Sequence, residues 1–524
     1  MEVMMGAVVV VLLVLVAYGW QFFNWVWLRP KAMEKSLREQ GLTGNRYRFF
    51  FGDLKEMVQM AKEAKLKPIK LTDSIVPRVI PFNYSSAKTY CCNIFFTWLG
   101  PRPIVHVTDP PTIRKILANY NQFQKLRGNP LTKLLARGLA DVEGDQWVKH
   151  RKIINPAFHV EKLKHMLPAF HISCSEMIRK WEGITKGRFL PTKRNRRMME
   201  IDQEVKSSIK KIINKRLTTK ENGESSKEDL LGILLDSNDK EIKLQGYTTF
   251  GLSIDDVIEE CKLFYFGGQE TTTTLLVWTM ILLGQHTNWQ DRARDEVSKV
   301  FGDRKPDIDG LSHLKIINII LLEVLRLYSP VVALERIIHE ETKIGDLILP
   351  SGSQLMLHLM MLHHDANIWG DDVNEFNPGR FAEGVSNATK VQASYFPFGG
   401  GPRICVAQAF AMLEAKLALV MILSRFSFKL SPSYSHAPHI ILGLQPHFLI
   451  LHKRTYPCPN SKFGLPMNIQ LPFQQPHPRI TDGLEKIQQP FHVSNGGIKE
   501  CEQFSGLTDA YDGDDEKMLC RRHF

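Results

Sequence analysis

The sequence lacks the CxxC pairs that are typical of structural metal-binding cysteines. Its 524 residues include eight cysteines, and none of them forms a CxxC pair. Zinc modules use such pairs, and disulfide frameworks concentrate cysteines in short chains, so neither is indicated. A cysteine with a function must therefore be recognised from its own neighbours.

Signatures of nucleic-acid binding are also missing. The net charge is +12 and the pI is about 9.1, but no long Lys/Arg block, zinc finger or RNA-binding motif is present. No internal repeat stands out, which argues against a repeat array. The basic balance therefore indicates anionic lipid or an acidic protein partner, and we expect no nucleic-acid partner.

The stretch from Met4 to Leu28 lacks charge altogether. It exceeds the ~20 residues that a helix needs to cross a bilayer. Aromatic residues cluster at its end, as at a membrane interface: Trp20, Phe22, Phe23, Trp25 and Trp27. Basic residues follow from Arg29 onward and mark the cytosolic side. We therefore predict a single-pass transmembrane anchor at residues 1–28 with the body of the protein in the cytosol.

Two other interpretations of this stretch fit less well. A cleaved signal peptide would have a basic start and small residues at its cleavage site, whereas Glu2 and bulky aromatics stand there. A buried core helix is not expected at the extreme N-terminus.

The rest of the chain is predicted to be mainly α with a small β region. Strand patterns occur at Phe95–Leu99, Pro103–Val107, Lys343–Leu349 and Gln354–Met360. Ser253, followed by Asp256, opens a long helix that runs to about Leu283, as a capping-box variant does.

One cysteine stands in a distinctive setting, at residues 396–405. Three consecutive glycines begin at Gly399, Arg403 follows, and Cys405 precedes a helix predicted from Ala407 to Leu423. The positive end of a helix favours thiolate over thiol, glycine lets backbone approach a flat group, and arginine suits a carboxylate. This combination fits a cysteine that holds haem iron. A buried structural cysteine is the simpler alternative, but it does not explain the spacing.

The segment resembles the haem-binding signature of cytochromes P450, Phe-x-x-Gly-x-Arg-x-Cys-x-Gly. Phe398, Gly401, Arg403 and Cys405 match it, while Ala407 stands where the family usually has glycine. The resemblance implies that Cys405 is the axial ligand of haem iron and that the other three matching residues help to bind the cofactor. The extra methyl of Ala407 could crowd the haem or the crossing helix.

The same resemblance assigns haem propionate contacts to three other residues. Trp147 and Arg151 are four residues apart and share a helix face. Alone they would be an ordinary surface pair, but they precede the other motifs in the order the family shows. Arg336 lies where the family often has a second propionate ligand.

The predicted long helix contains Gly267-Gly-Gln-Glu-Thr-Thr272. Gly267 and Thr271 share a face, which opens a notch in the helix wall. The motif resembles the oxygen-binding groove of the family, with Glu270 and Thr271 as the acid–alcohol pair that relays protons. A helix-packing groove would explain the glycines but not the carboxylate.

Glu323 and Arg326 are spaced so that their side chains can meet on a helix. This motif is common, but the resemblance implies that both residues join Arg380 in a buried network that holds the cysteine loop. Gly379 stands where the family commonly has glutamate. His358, His363 and His364 lack the spacing of a zinc site.

Two regions depart from the family. The chain is short by roughly fifty residues near 183–190, judged on length alone. Part of the roof of the substrate pocket would then be missing. A skipped exon would produce such a shortened chain. Residues 457–524 extend beyond the usual end of the family and are predicted to be disordered.

We therefore predict a haem-thiolate monooxygenase domain at residues 29–456, similar to the plant secologanin-synthase-type subfamily. This resemblance implies a hydrophobic terpenoid or triterpenoid substrate, contact with membrane lipid in the endoplasmic reticulum, and electrons from NADPH through NADPH–cytochrome P450 reductase. Two alternatives stay open at this point. One is a haem-binding but catalytically impaired paralogue or splice form, and the other is a membrane-tethered interaction protein without haem.

Overall fold

The computed structural model describes residues 2–126, 137–182, 194–221, 230–245, 251–441, 443–446 and 451–454. The predicted shortened stretch at 183–190 and the predicted disordered tail at 457–524 lie outside these residues.

Helices dominate the described part of the chain, which confirms the predicted fold class. In chain order the α-helices are α1 Glu2–Phe23, α2 Arg29–Glu39, α3 Leu54–Leu66, α4 Val76–Val79, α5 Pro81–Tyr90, α6 Pro110–Ala118, α7 Gly138–Asp141, α8 Gly144–Ile154, α9 Val160–Glu182, α10 Arg194–Glu221, α11 Leu230–Gln245, α12 Ile254–Gln285, α13 Thr287–Phe301, α14 Ile308–His313, α15 Lys315–Leu327, α16 Leu359–His363, α17 Ala366–Trp369 and α18 Gln408–Leu423.

The strands are short and form one larger sheet with three two-stranded pairs. They are β1 Thr43–Gly44, β2 Ile94–Leu99, β3 Arg102–Val107, β4 Phe123–Gln124, β5 Leu334–Ile338, β6 Thr342–Ile344, β7 Leu347–Leu349, β8 Gln354–Leu357, β9 Ser427–Leu430, β10 Pro438–Ile440, β11 Leu444–Pro446 and β12 Leu451–Arg454. The six-stranded sheet has the order β1-β2-β3-β8-β5-β4, and the pairs are β6–β7, β10–β11 and β9–β12.

The N-terminal helix has an exposed apolar part and a part that packs on the body. A π-helical turn at Asn24–Leu28 joins α1 to α2. Within the described residues, one helix is long and apolar enough to cross a membrane, at Val9–Glu39, and only 6% of its apolar window is buried. Val26 is buried, and its carbonyl accepts a hydrogen bond of 2.5 Å from the Tyr47 hydroxyl. The apolar side chains from Val9 to Trp25 are therefore exposed, which is consistent with the predicted membrane anchor.

The helical core is built around α12, which is 32 residues long. Ser253 and Asp256 form the predicted capping box at its start. Its second half is buried, including Trp278, and contacts both α15 and α18. A second apolar cluster lies around the six-stranded sheet. The two clusters fix α12, the sheet and the segment before α18 relative to one another.

Two of the four strand predictions, Phe95–Leu99 and Pro103–Val107, are confirmed, and the other two change in detail. The β2–β3 hairpin pairs Ile94 with Val107 through Leu99 with Arg102. The segment Lys343–Leu349 was predicted as one strand, but it folds into the β6–β7 hairpin because Gly345 takes a positive φ of 62°. The predicted strand Gln354–Met360 ends at Leu357, since α16 begins at Leu359.

Candidate functional site

The cysteine loop, residues 396–405, is held at its start by a hydrogen bond to His363 and is closed at its end by a hydrogen bond within the loop. The backbone N–H of Phe396 donates to His363 Nε2 at 3.0 Å, and the N–H of Cys405 donates to the Phe398 carbonyl at 3.0 Å. Gly401 has a φ of 66°, and a Cβ there would collide with the Leu117 carbonyl oxygen. The glycine is therefore required both by backbone conformation and by the close approach of α6.

Cys405 lies two residues before the N-cap of α18, and its side chain is exposed at the end of the loop. Its wider surroundings are protein rather than water, and this dehydration raises the pKa of the thiol. The N–H of Ala407 and the charges of Arg151 and Lys125 act in the opposite direction without overcoming it. The helix start therefore acts in the predicted direction, through the Ala407 N–H, but burial is the larger influence on the pKa of the Cys405 thiol.

Ala407 fits the backbone that the loop requires. Its φ of −95° and ψ of 17° are ordinary values for alanine. The departure from glycine at this position therefore introduces no backbone strain.

Three cations gather beside the loop: Lys125, Arg336 and Arg403, called the cation cluster below. Burial, followed by repulsion from Arg403 and Arg336, lowers the pKa of Lys125 to about 8. Burial, followed by repulsion from Arg403, lowers the pKa of Arg336 to about 10. Three positive charges held close together in a partly dehydrated place favour an anionic ligand.

Arg403 is only partly satisfied by the protein. Its Nη2 donates to the Val142 carbonyl at 3.0 Å and to the Glu143 carboxylate. Its buried Nε and Nη1 groups have no hydrogen-bond partner within the described residues. Buried N–H donors are rarely left unpaired, so these two point to an acceptor that the polypeptide does not supply.

Helix α8 brings Trp147 and Arg151 to the same place, as predicted. The Arg403 guanidinium lies 4.8 Å from the centre of the buried Trp147 ring, and Tyr120 lies 4.6 Å from that ring. Arg151 Nη1 donates to the Ile404 carbonyl at 2.9 Å, next to Cys405. The structure therefore joins Trp147, Arg151, Arg336, Arg403 and Cys405 in one site.

This site fits haem on the chemistry of its side chains. A cysteine sulfur is exposed beside glycines that allow a close approach, and the unpaired donors of Arg403 belong to a cluster of cations. Haem offers iron to the sulfur and two propionates to the cations. Lys125 was missed in the sequence, because a single lysine between β4 and α7 carries no local pattern.

The notch predicted in α12 is present. The Thr271 hydroxyl donates to the Gly267 carbonyl at 2.7 Å, and the Thr271 side chain is exposed. No described residue lies within 4 Å of where a Cβ on Gly267 or Gly268 would be. The described residues therefore give no support to the alternative of a helix-packing groove.

Glu270 lies on a neighbouring face of α12 and is half-buried. Its Oε2 accepts a hydrogen bond of 3.1 Å from Gln445 Nε2 in β11. Gln445 was missed in the sequence, because it is 175 residues away and short β-strands lack a distinctive pattern.

Glu323, Arg326 and Arg380 meet as predicted. Arg326 forms two bonds of 2.8 Å with the Glu323 carboxylate, and both side chains are fully buried. Arg380 Nε lies 3.7 Å from Glu323 Oε1, and its other nitrogens hold Asp372. The network is therefore larger than predicted.

The network reaches the cysteine loop through neighbouring groups. Arg326 Nη1 donates to the His363 carbonyl at 2.9 Å, and the His363 ring accepts from Phe396. Burial lowers the pKa of His363 to about 3, which keeps this acceptor neutral. His358 bonds to His106 at 2.8 Å, and His364 bonds to the Leu327 carbonyl at 2.9 Å.

The fold and the residues of the site are those expected of a haem-thiolate oxidoreductase. The family model for cytochrome P450 matches residues 80–186 and 186–456. The chain belongs to the cytochrome P450 family and is a monooxygenase of the plant CYP72 type, which confirms the resemblance found in the sequence.

Several curated plant proteins are similar to it along almost their whole length. Cytochrome P450 CYP72A219 of Panax ginseng is 55% identical over 508 residues, which cover 85% of this chain and 97% of the relative. A 7-deoxyloganic acid hydroxylase of Catharanthus roseus is 45% identical over 521 residues, covering 86% and 100%. Secologanin synthase 2 of the same plant is 44% identical over 510 residues, covering 86% and 97%.

Proposed function

We propose that this protein hydroxylates a hydrophobic terpenoid or triterpenoid, using haem iron, O2 and electrons supplied by NADPH–cytochrome P450 reductase. The observation that carries the proposal is the partly unsatisfied Arg403 in the cation cluster beside Cys405. Such an arrangement suits a cofactor that has carboxylates at one edge and a metal at its centre.

In this proposal the Cys405 sulfur would bind the haem iron, and the residues around it would orient the cofactor. Its propionates would be held by Arg403, Arg336, Trp147 and Arg151. Gly401 and Phe398 shape the loop that presents the sulfur. Bound haem would supply the redox-active iron that activates O2.

Glu270 and Thr271 are assigned the movement of protons at the notch of α12. The Thr271 hydroxyl is exposed at a notch and bonds within its own helix, so it can exchange its hydrogen bond with water. Glu270 is half-buried and can pass a proton between outer water and the threonine.

The substrate class rests on what the relatives are named for. A 7-deoxyloganic acid hydroxylase and a secologanin synthase stand among the relatives that are 44–45% identical. A membrane anchor in the endoplasmic reticulum would place the body at the cytosolic face, where a hydrophobic substrate can enter from lipid and the acidic reductase can dock on a basic surface.

The test begins with the haem site. The purified full chain, reduced and treated with carbon monoxide, should give a thiolate-type Soret band, and Cys405→Ser should abolish it. The chain combined with reductase and NADPH should then oxidise members of a terpenoid panel. An unchanged spectrum in the Ser variant would refute the assignment of Cys405.

A second candidate is a haem-binding form with impaired turnover. The family match divides at residue 186, and the alignments use 85–86% of this chain while covering 97–100% of the relatives. Both observations support the proposal that a segment near 183–190 is shortened. Sequencing the transcript across codons 182–190 shows whether the exon is skipped in the transcript itself or only in the gene model. A normal Soret band without oxidation of any panel member would favour this candidate.

A further inference from the structure

A buried ionisable pair joins helices α8 and α12 outside the contacts assigned above. His150 Nδ1 lies 2.6 Å from Glu260 Oε1. His150 is 5% exposed and Glu260 is fully buried. Withdrawing a carboxylate from water is costly, and buried pairs of this kind are weak stabilisers, so a role in fixing geometry is the more informative explanation.

The second oxygen of the carboxylate is closed off by α7. A Cβ on Gly138 would lie 2.7 Å from Glu260 Oε2, and Gly138 has a φ of 29°. Within the described residues, Oε2 has no hydrogen-bond partner. The bond to His150 is thus the contact that fixes this carboxylate, and through it one side of α8.

The position of His150 within α8 gives the pair its significance. Trp147 precedes it by one helical turn and contacts Arg403, while Arg151 follows it directly and bonds to the Ile404 carbonyl. A small rotation of α8 would therefore move both residues relative to the cysteine loop.

We propose that the His150–Glu260 pair is a positioning contact that keeps α8 in the orientation required for Trp147 and Arg151 to hold the haem propionates. The proposal rests on the assigned haem site and adds two residues that do not themselves touch the cofactor. Removing the charge or the bond lets α8 shift and loosens the cofactor.

Another ion pair on the same helix gives a matched control. Lys152 Nζ lies 2.6 Å from Glu241 Oε1, and the Lys152 side chain is 58% exposed. Glu241→Gln, in α11, removes the carboxylate that is paired with Lys152 of α8. Pairs with an exposed partner contribute little, so this variant should behave like the unmodified chain.

The first measurement is the rate of haem release from the full holoprotein to an excess of an apo-haem acceptor. Glu260→Gln keeps the size of the side chain and should release haem about tenfold faster than both the unmodified chain and Glu241→Gln. An unchanged release rate would overturn the proposal.

A double variant separates positioning from simple stability. His150→Leu combined with Glu260→Met replaces the pair by apolar side chains of similar size, which often preserves stability. We expect it to unfold at a temperature close to that of the unmodified chain, yet to release haem as fast as Glu260→Gln. Recovery of haem retention together with stability would overturn the proposal. This variant also decides the question if Glu260→Gln does not accumulate.

A further measurement does not depend on haem. Hydrogen exchange at the amides of residues 144–154 should be faster in Glu260→Gln than in Glu241→Gln, and equal rates would overturn the proposal. If the unmodified chain shows no thiolate-type band, the proposed function fails, but the exchange experiment still tests the contact between α8 and α12.

Discussion

Two parts of the candidate site, the residues behind the cysteine loop and the notch of α12, hold their polar groups in different ways. They are called the loop wall and the α12 wall below. Behind the cysteine loop, Glu323, Arg326 and His363 are buried, and their hydrogen bonds run from one to the next as far as Phe396. On the α12 wall, the Thr271 hydroxyl bonds within its own helix, and Gly267 faces open space within the described part of the chain.

This difference matches two tasks. A loop that presents a metal ligand has to keep its geometry, and buried polar groups that are linked by hydrogen bonds provide rigidity. A wall that handles protons and substrate has to stay accessible to water and to ligands of different shapes. Changes behind the loop should therefore affect folding and cofactor binding, whereas changes in the notch should affect turnover.

The largest effect should follow from Glu323→Ala. The substitution leaves the fully buried Arg326 without its carboxylate, and breaking such a pair costs about 3–5 kcal/mol. We expect most of the protein to be lost as unfolded or haem-free material, measured as the yield of folded protein and by thermal unfolding. Lys152→Met, which breaks an exposed pair, should change stability by less than about 1 kcal/mol. Similar losses in the two variants would contradict the comparison.

The second largest effect should come from Arg403→Leu in the cysteine loop. This change removes a guanidinium from the cation cluster and leaves Glu143 without its partner. Haem release should accelerate about ten- to a hundredfold. Arg403→Lys keeps the positive charge but loses the forked donors of the guanidinium. Its rate of haem release should therefore lie between those of Arg403→Leu and the unmodified chain. A Leu variant that binds haem as tightly as the unmodified chain would contradict the role of the cluster.

Thr271→Val tests the α12 wall. The variant keeps the shape of the side chain but removes the hydroxyl, so folding and haem binding should be unchanged. Product formed per NADPH consumed should fall about tenfold, with peroxide rising, if the hydroxyl takes part in proton delivery. Thr273→Val, two residues along the same helix and also exposed, is the matched control. Equal product ratios in the two variants would count against the acid–alcohol pair.

The smallest effect is the pH dependence of stability that His363, the neutral histidine behind the cysteine loop, contributes. The pKa of His363 is about 3 in the folded chain, compared with about 6.5 when unfolded. The unfolded chain therefore binds more protons between these values, so the stability from His363 is complete above pH 6.5 and is lost as the pH falls towards 3.

For His363 this amounts to about 1 kcal/mol between pH 6.5 and 5.5. Denaturant unfolding at the two pH values should show a smaller decrease in His363→Asn than in the unmodified chain. The same decrease in both would show that His363 is not protonated on unfolding.

Local motifs could be predicted because their residues are close in sequence. The capping box, the Glu323–Arg326 pair and the Thr271–Gly267 contact span three or four residues and need only helical geometry. The cysteine loop carries its glycines beside its ligand for the same reason.

Contacts between residues that are far apart in the sequence could not be predicted in this way. Gln445 reaches Glu270, and His150 reaches Glu260 over 110 residues. The pKa of Cys405 belongs to this group as well, because burial depends on everything packed around the sulfur.

The sequence by itself determined the family, the apolar N-terminal segment, the helical class and the residues that meet on one helix face, since these depend on composition and short-range periodicity. The tertiary structure alone decided which charges are buried together. It assembled the cation cluster from Lys125, Arg336 and Arg403, left two donors of Arg403 without a partner among the described residues, and joined α8 to α12 through His150. Packing brings distant parts of the chain together and removes water, and both conditions govern the chemistry of this site.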